Sequence, residues 1–311
     1  MPATRRSETP RSHAGRFRVL SWNILEGGVD DGRLDLILAL ARAQRADVVA
    51  LQECNGWHHR GAKILRRAER TLRMRAFPFW TTGGYQPVLL TRLDGAREIH
   101  HDDQDDFHHG FQEIVLPLPG GREWHFFHTH LSPFLESQRL LETKRLLREM
   151  APHKRGWASL MGDLNSVAPF ELYNGVKLGA GTTRLELAKH PLLRFKFQQA
   201  GMAGMAGWKE GGKTLALPQI PFRRKRLVKF VEMRTDVYRA LRGAGWVDAY
   251  RRLHPKDPGF TIPSDALGAR IDYAWLSRKL ADRLVACDVL SGPREARASD
   301  HCALRLDFDL S

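Results

Sequence analysis

The stretch Leu160-Met161-Gly162-Asp163-Leu164-Asn165-Ser166 decides how this chain is read. Ser159-Leu160-Met161 is a short apolar run that can finish a buried strand, and Gly162 lets the backbone approach a neighbour closely. Asp163 and Asn165 stand two apart, so on an extended chain both side chains point to one face. A carboxylate and an amide sharing that face can hold a water and a charged oxygen together. Taken alone, Gly-Asp-x-Asn also suits an ordinary loop.

Its companions give it meaning. Arg18-Val19-Leu20-Ser21-Trp22-Asn23 ends in Asn23, and Asp47-Val48-Val49-Ala50-Leu51-Gln52-Glu53 ends in Glu53. Trp124-His125-Phe126-Phe127-His128-Thr129-His130 ends in His130, and Arg270-Ile271-Asp272-Tyr273-Ala274-Trp275 carries Asp272. Ser299-Asp300-His301 precedes a last apolar run from Cys302 to Leu310. Polar residues gathered at the ends of buried strands are where α/β enzymes place their chemistry. Six such ends imply one shared site.

Ser-Trp-Asn-Ile, Leu-Gln-Glu, Thr-His-Leu-Ser, Gly-Asp-Leu-Asn-Ser, Arg-Ile-Asp-Tyr and Ser-Asp-His, in this order and spacing, resemble the endonuclease/exonuclease/phosphatase superfamily. The motifs run through nearly the whole chain, from residue 17 to residue 309. The resemblance implies an α/β fold, a four-layer sandwich of two packed mixed β-sheets with helices outside and the site at one edge of the sheets. It implies a pairing of Asp272 with His301, and it sets Asp163 and Asn165 against the attacking water and the phosphate. His130, singled out by Thr-His-Leu-Ser, would stabilise the transition state or protonate the leaving oxygen; His128, two residues earlier, reads as an ordinary strand residue. Whether Asp163 or His301 takes the proton of the water is open at this level.

Phosphodiester hydrolysis needs charge neutralised on the phosphate, an activated water and a stabilised leaving oxygen. A hard divalent ion takes oxygen ligands, and Mg²⁺ keeps several waters beside one or two carboxylates. Glu53 is the first choice of metal ligand, with the Asn23 amide oxygen beside it and Asp300 as a second carboxylate for Mg²⁺ or its substitute Mn²⁺. His301 follows Asp300 directly and supplies an imidazole that titrates near neutral pH.

The bulk numbers point to the partner. A formal charge of +14 and a pI of about 10.1 favour polyanions: nucleic acid first, then anionic lipid or polyphosphate. The site is itself rich in carboxylates, so the positive excess lies elsewhere. Three widely spaced cysteines, Cys54, Cys287 and Cys302, form no disulfide framework or zinc pattern and fit buried thiols in a reducing cytoplasm. No long uncharged apolar run suggests a membrane span, and residues 1–16 lack the apolar middle of a secretory signal, reading as a disordered basic tail.

Residues 17–311 read as one catalytic domain. Strands are expected at 17–24, 47–51, 86–92, 111–117, 123–130 and 157–162, and helices near 32–44, 58–73 and 134–150. The segment 100–109, with four His and four Asp, reads as a solvated loop because its ligand order is irregular for a metal site. From about 170 to 245 the alternation breaks into a basic, helical insertion, with helices expected at about 183–200 and 228–243. It contains Phe222-Arg223-Arg224-Lys225-Arg226-Leu227-Val228-Lys229-Phe230, five basic residues in nine.

Departures from the family's branches narrow the substrate. Where AP endonucleases usually carry a tyrosine this chain has His130, and Leu25 stands where an acid often follows the asparagine. Ala269 replaces the aromatic residue that lines the abasic pocket in some relatives. Met161 and Ser166 replace the Trp and Arg that flank Gly-Asp-x-Asn in inositol 5-phosphatases. Pro169 and Tyr173 lean toward the nuclease and deadenylase-like branches. The expectation is a Mg²⁺-dependent nuclease or phosphodiesterase. A phosphatase or phospholipid-headgroup hydrolase is the alternative, and a non-catalytic nucleic-acid-binding protein a minor one.

Overall fold

The apolar runs that end in polar residues become the central strands of two sheets. The structure, a computed structural model, describes residues 16–311 other than 80, 82, 83, 103, 174, 175, 178–182, 187–229 and 263–267. In chain order the strands begin with β1 (Arg16–Asn23), β2 (Val48–Gln52), β3 (Arg75–Pro78), β4 (Val88–Thr91) and β5 (Arg97–Ile99). They continue as β6 (Phe111–Leu118), β7 (Arg122–His130), β8 (Trp157–Asp163), β9 (Leu172–Tyr173), β10 (Val176–Lys177), β11 (Thr183–Glu186) and β12 (Phe230–Met233). The last are β13 (Val247–Asp248), β14 (Asp272–Leu276), β15 (Leu284–Leu290) and β16 (Ala303–Asp309). The longer helices are α1 (Leu34–Ala43), α2 (His59–Leu72), α3 (Glu136–Met150) and α4 (Asp236–Gly243).

One six-stranded sheet has the order β15-β16-β1-β2-β4-β3, and the other β13-β14-β8-β7-β6-β5. Each is antiparallel except for one central parallel pair, β1 with β2 and β7 with β8. The inner faces meet in a dry core of Val19, Val48, Leu89 and Phe308 from the first sheet and Ile114, Trp124, Phe126 and Met161 from the second. Trp124 is fully buried there, edge-on to Phe308 at 5.0 Å, and its indole N–H donates to Ser159 Oγ at 2.9 Å. That bond satisfies the one polar atom of the ring where no water can reach.

The outer faces carry the helices. Leu34, Ile37, Leu38 and Ala41 of α1 and Leu65, Ala68 and Leu72 of α2 cover the first sheet, at the three- and four-residue spacing that puts side chains on one helical stripe. Leu146 and Met150 of α3 and Val237, Tyr238 and Leu241 of α4 cover the second. The result is the expected four-layer α/β sandwich. No helix among the described residues is long and apolar enough to cross a membrane, and the three cysteines are buried and free.

Two expectations for the 170–245 insertion need correction. Thr183–Glu186 is a strand paired antiparallel with Phe230–Met233, and the helix expected at 228–243 is confined to Asp236–Gly243. Thr-Arg-Leu-Glu alternates β-branched or apolar residues with charged ones, a period of two, and Phe-Val-Glu-Met is rich in β-formers. The rest of the expected helix at 183–200, the basic run Arg223–Arg226 and the tail 1–15 lie outside the described residues.

Gly162 fixes the central register. Its φ is +141°, and a Cβ there would lie 1.9 Å from the Thr129 carbonyl oxygen of the adjacent parallel strand. Both the backbone conformation and the space forbid a side chain. Gly162→Ala is therefore expected to lower stability by about 3 kcal/mol or more, in the range that only a backbone clash or core defect produces. Urea unfolding followed by tryptophan fluorescence measures it, and an unchanged midpoint would disprove the close approach.

Candidate active site

Parallel strands end on the same side, and antiparallel neighbours begin where they end. Asn23 closes β1, Glu53 follows β2, His130 closes β7 and Asp163 closes β8. Asp272, paired in register with Asp163, opens β14, and His301 lies two residues before β16, the antiparallel neighbour of β1. All six therefore meet at one edge of the sandwich.

Asp163 stands at the centre, only 1% exposed. Its Oδ2 accepts from Asn23 Nδ2 at 3.0 Å and lies 3.5 Å from His130 Nε2 and 3.8 Å from His301 Nε2. Its Oδ1 accepts the backbone N–H of Asn165 at 2.8 Å, closing a turn in which Asn165 takes φ +48°. Asparagine tolerates that left-handed conformation better than most residues. The Asn165 amide nitrogen donates to the Leu131 carbonyl at 3.0 Å and faces His130 Nε2 at 3.0 Å. Burial, reinforced by the charge of Asp272, raises the Asp163 carboxyl well above the ordinary aspartate range.

His301 and Asp272 form the second half. His301 Nδ1 is 2.9 Å from Asp272 Oδ2, and the His301 backbone N–H donates to Ser299 Oγ at 3.1 Å. Thr261 Oγ1 accepts the backbone N–H groups of Ile271 and Asp272, fixing the start of β14. Burial would lower the imidazole, but the charge and hydrogen bond of Asp272 outweigh it and hold His301 at about 10. His301 is therefore a cation at neutral pH. His130 behaves oppositely: burial, with the neighbouring His109 and His301, keeps it well below the ordinary histidine value and uncharged.

Glu53 sits in the left-handed region, φ +59°, which turns its side chain into the site after β2 ends. Its Oε1 accepts from Asn23 Nδ2 at 3.0 Å and its Oε2 from the Glu26 backbone N–H at 2.9 Å. Burial raises its carboxyl, and those two bonds pull it partly back. Asn23 thus presents its nitrogen to both carboxylates, while its oxygen accepts the Leu25 backbone N–H at 3.0 Å. Asp300 is exposed at the rim, and its charge raises both Glu53 and His301. Asp272 Oδ1 is buried without a hydrogen-bond partner. Crowded carboxylates, one with an orphaned oxygen, fit a divalent cation, and Glu53, 13% exposed at its side chain, and Asp300 at the rim are the two that solvent reaches. Asp163, Asp272 and His301 also lie close enough to share an ion.

His128 behaves as a strand residue: it is buried between Gln52 Nε2 at 2.7 Å and Gln112 Oε1 at 3.3 Å. The sequence left two supports without an assigned role. His109 stacks on His130 with centroids 4.5 Å apart, and nothing in the 100–109 pattern marks it out. Glu142 is fully buried on α3, accepting the His108 backbone N–H at 2.8 Å and the Ser132 N–H at 2.9 Å. A signal existed for Glu142: it stands four and eight residues before Leu146 and Met150, an acid on the buried stripe.

With this geometry in place, the comparisons become informative. The sequence matches the Endonuclease/Exonuclease/phosphatase family over residues 20–301, so the chain belongs to that family. The family's enzymes hydrolyse phosphoesters and are in general dependent on a divalent metal. Among solved structures, an AP endonuclease from Archaeoglobus fulgidus has a TM-score of 0.61 at 16% identity, covering 94% of this chain and 100% of its own. The catalytic domain of human Nocturnin with bound sulfate has a TM-score of 0.54 at 18% identity, covering 95% of this chain and 93% of its own. An endonuclease/exonuclease/phosphatase family protein from Bacteroides thetaiotaomicron has the same TM-score at 15% identity, covering 95% and 98%. No curated protein sequence matches the chain. At such identities these structures establish the fold.

Two measurements check the geometry. Replacing Asp272 by Asn removes the group that holds His301 protonated, so burial should then lower the imidazole by several pH units. Imidazole NMR should show the wild-type ring charged through pH 8 and the variant titrating far lower. The linked stability runs the same way: a histidine raised in the folded state contributes fully below about pH 6.5 and loses that contribution as pH rises through about 10. Asp272→Asn should flatten that part of the stability profile. Separately, Glu142→Ala strands two buried backbone N–H groups and should cost about 2–4 kcal/mol in chemical denaturation.

Proposed function

We propose that this protein is a divalent-metal-dependent phosphodiesterase acting on nucleic acid, with Mg²⁺ as the metal and Mn²⁺ as its substitute. The observation that carries the reading is the convergence on Asp163: a cationic imidazole and a neutral imidazole each lie within 4 Å of its Oδ2 at one edge of the sheets. Glu53 and Asp300 would hold the metal, with Asn23 orienting Glu53 through its amide nitrogen. Bound there, the ion would neutralise phosphate charge and stabilise the leaving oxygen.

The chain's own residues divide the remaining work by charge. Asp163, raised by burial, is the acceptor for the proton of the attacking water, because a carboxyl titrating closer to neutrality is a stronger base than an ordinary one. His301, already protonated, binds a phosphate oxygen and stabilises charge as the phosphorus becomes five-coordinate. Asn165, anchored by Leu131, orients the water or a phosphate oxygen. His130, uncharged, accepts the Asn165 amide N–H at Nε2 and so holds that amide toward the phosphate; its low proton affinity fits that role better than proton delivery to the leaving oxygen. The water oxygen bonds to phosphorus, the ester oxygen departs, and the water's proton moves to Asp163.

The choice of nucleic acid rests on the charge of +14 and the basic run Arg223–Arg226. An AP endonuclease stands among the structural neighbours, but His130 and Ala269 depart from that branch's pattern, so an undamaged strand is the better substrate. A phosphatase or phospholipid-headgroup hydrolase could use the same residues. The test is a side-by-side panel of plasmid, single-stranded RNA, inositol phosphates and phospholipid with Mg²⁺. Nucleic acid should be cleaved fastest, EDTA should abolish turnover, and Glu53→Gln should lower kcat by several orders of magnitude without unfolding. Preferential release of phosphate from the inositol phosphates would move the protein to the alternative, and full turnover in chelator would exclude a metal role. In the same panel, cytoplasmic fractionation of the native host would check the expected compartment.

A further inference from the structure

A second group of titratable side chains lies on the opposite face of the second sheet from His130. Residues 125 and 130 of β7 are five apart, so their side chains project to opposite faces. Glu113 of β6 faces outward with His125, toward the end of α3. Its Oε1 is 2.6 Å from His125 Nδ1 and 3.5 Å from His153 Nε2, and the three ligand atoms all lie within 4.8 Å of one another. On its other side Oε2 is 2.7 Å from His101 Nε2, and His101 Nδ1 in turn faces Glu149 Oε2 at 3.5 Å.

These residues come from the loop after β5, from β6, from β7 and from the turn at Ala151–His153 that follows α3. Chance neighbours on one element could not produce that convergence. The Glu113 side chain is only 3% exposed, and among the described residues its charged partners are imidazoles. Burial works to raise its carboxyl, but hydrogen bonds from His101 and His125 overcome that and hold it at about 2, so it is an anion. The rings of His125 and His153 are stacked with centroids 3.6 Å apart and an angle of 19°. Two imidazolium ions cannot stack so closely without strong repulsion.

We propose that Glu113, His125 and His153 form a binding site for a Zn²⁺-class transition metal ion, distinct from the phosphoester-hydrolysing edge. The ligands are Glu113 Oε1, His125 Nδ1 and His153 Nε2, and the fourth position opens to solvent beside His125 and His153, whose side chains are 20% and 25% exposed. Zn–N and Zn–O bonds of about 2.0–2.2 Å in a tetrahedron set ligand atoms about 3.4 Å apart. The separations of 2.6 and 3.5 Å from Glu113 bracket that value, and because imidazole lone pairs lie in the ring plane, admitting the ion requires His153, on its partly exposed turn, to rotate out of its stack on His125. His101 donates to the second carboxylate oxygen from behind, the outer hydrogen bond that commonly orients a metal-ligating carboxylate. Two nitrogens and one oxygen select a borderline ion over Mg²⁺, which takes oxygen donors. The bound ion would clip the end of α3 to β6 and β7.

The test uses the full chain, stripped with chelator and held in excess Mg²⁺ so that the oxygen-rich edge is saturated. Zn²⁺ is titrated by calorimetry, and Co²⁺ is used as a spectroscopic probe of tetrahedral nitrogen coordination. Wild-type protein should take up one equivalent, show the visible absorption of tetrahedral Co²⁺ and melt at higher temperature with Zn²⁺. His153→Gln, a partly exposed change on a turn, should weaken Zn²⁺ binding at least 100-fold while Mg²⁺-supported hydrolysis stays unchanged. His101→Gln should weaken it by about 10–100-fold, the usual effect of losing an outer partner. A circular dichroism spectrum unchanged from wild type confirms that each variant is folded; should His153→Gln fail to fold, Glu113→Gln takes its place. Equal Zn²⁺ affinity in wild type and variants, or no uptake at all, would reduce the cluster to a hydrogen-bonded network and overturn the proposal.

Discussion

The amide nitrogen of Asn23 reaches Glu53 Oε1 and Asp163 Oδ2 at 3.0 Å each, and with those two bonds it ties the two sheets together at their working edge. Everything else at the site is placed relative to that bridge. Asn23 and Glu53 belong to the parallel pair of one sheet, Asp163 to the parallel pair of the other. Among the described residues, these two parallel pairs are where strand ends of different chain segments finish side by side. An amide suits the position because it donates to two anions at once without adding a charge. A carboxylate there would repel both neighbours, and a cation would compete with the metal for them.

The site is an arrangement of unequal proton affinities in a small volume. Burial alone pushes acids up and imidazoles down, so the direction each group takes reports its partner. His301 escapes the general trend because Asp272 faces its Nδ1, whereas His130 has no carboxylate on Nδ1 and stays neutral. Two histidines of one site are thereby given opposite charge states. The same principle separates the outer cluster: Glu113 is depressed by its imidazole partners, whereas Asp163 is raised by burial and by the carboxylate beside it.

The strand ends were legible in the sequence because each combined a β-type apolar run with one polar residue out of character for a buried strand. Asn23, Glu53, His130, Asp163, Asp272 and His301 all carry that mark, and the structure brings them together. The exposed position of Asp300 and the nitrogen-first orientation of Asn23 were not legible, since both depend on how a loop turns after its strand. His109 was equally silent, because its role comes from stacking across a non-local gap. Glu113, His125 and His153 lie 12 to 40 residues apart on three elements, a spacing without a local pattern. The strands β11 and β12 were missed for a different reason: 170–245 has mixed charge and many glycines, and the alternation over four residues is short enough to pass for a helical turn.

β1 sits in the interior of its sheet between β2 and β16, with Arg16 opposite Asp309. The neighbour on one side of β1 is made early in synthesis and the neighbour on the other side last. A ribosome-bound chain therefore carries a bare hydrogen-bonding edge along β1 until the closing segment emerges, and such an edge invites pairing with other chains. The same closing segment brings His301. Closure of the sheet and completion of the cluster around Asp163 are one event, so a chain that lacks the closing segment has neither.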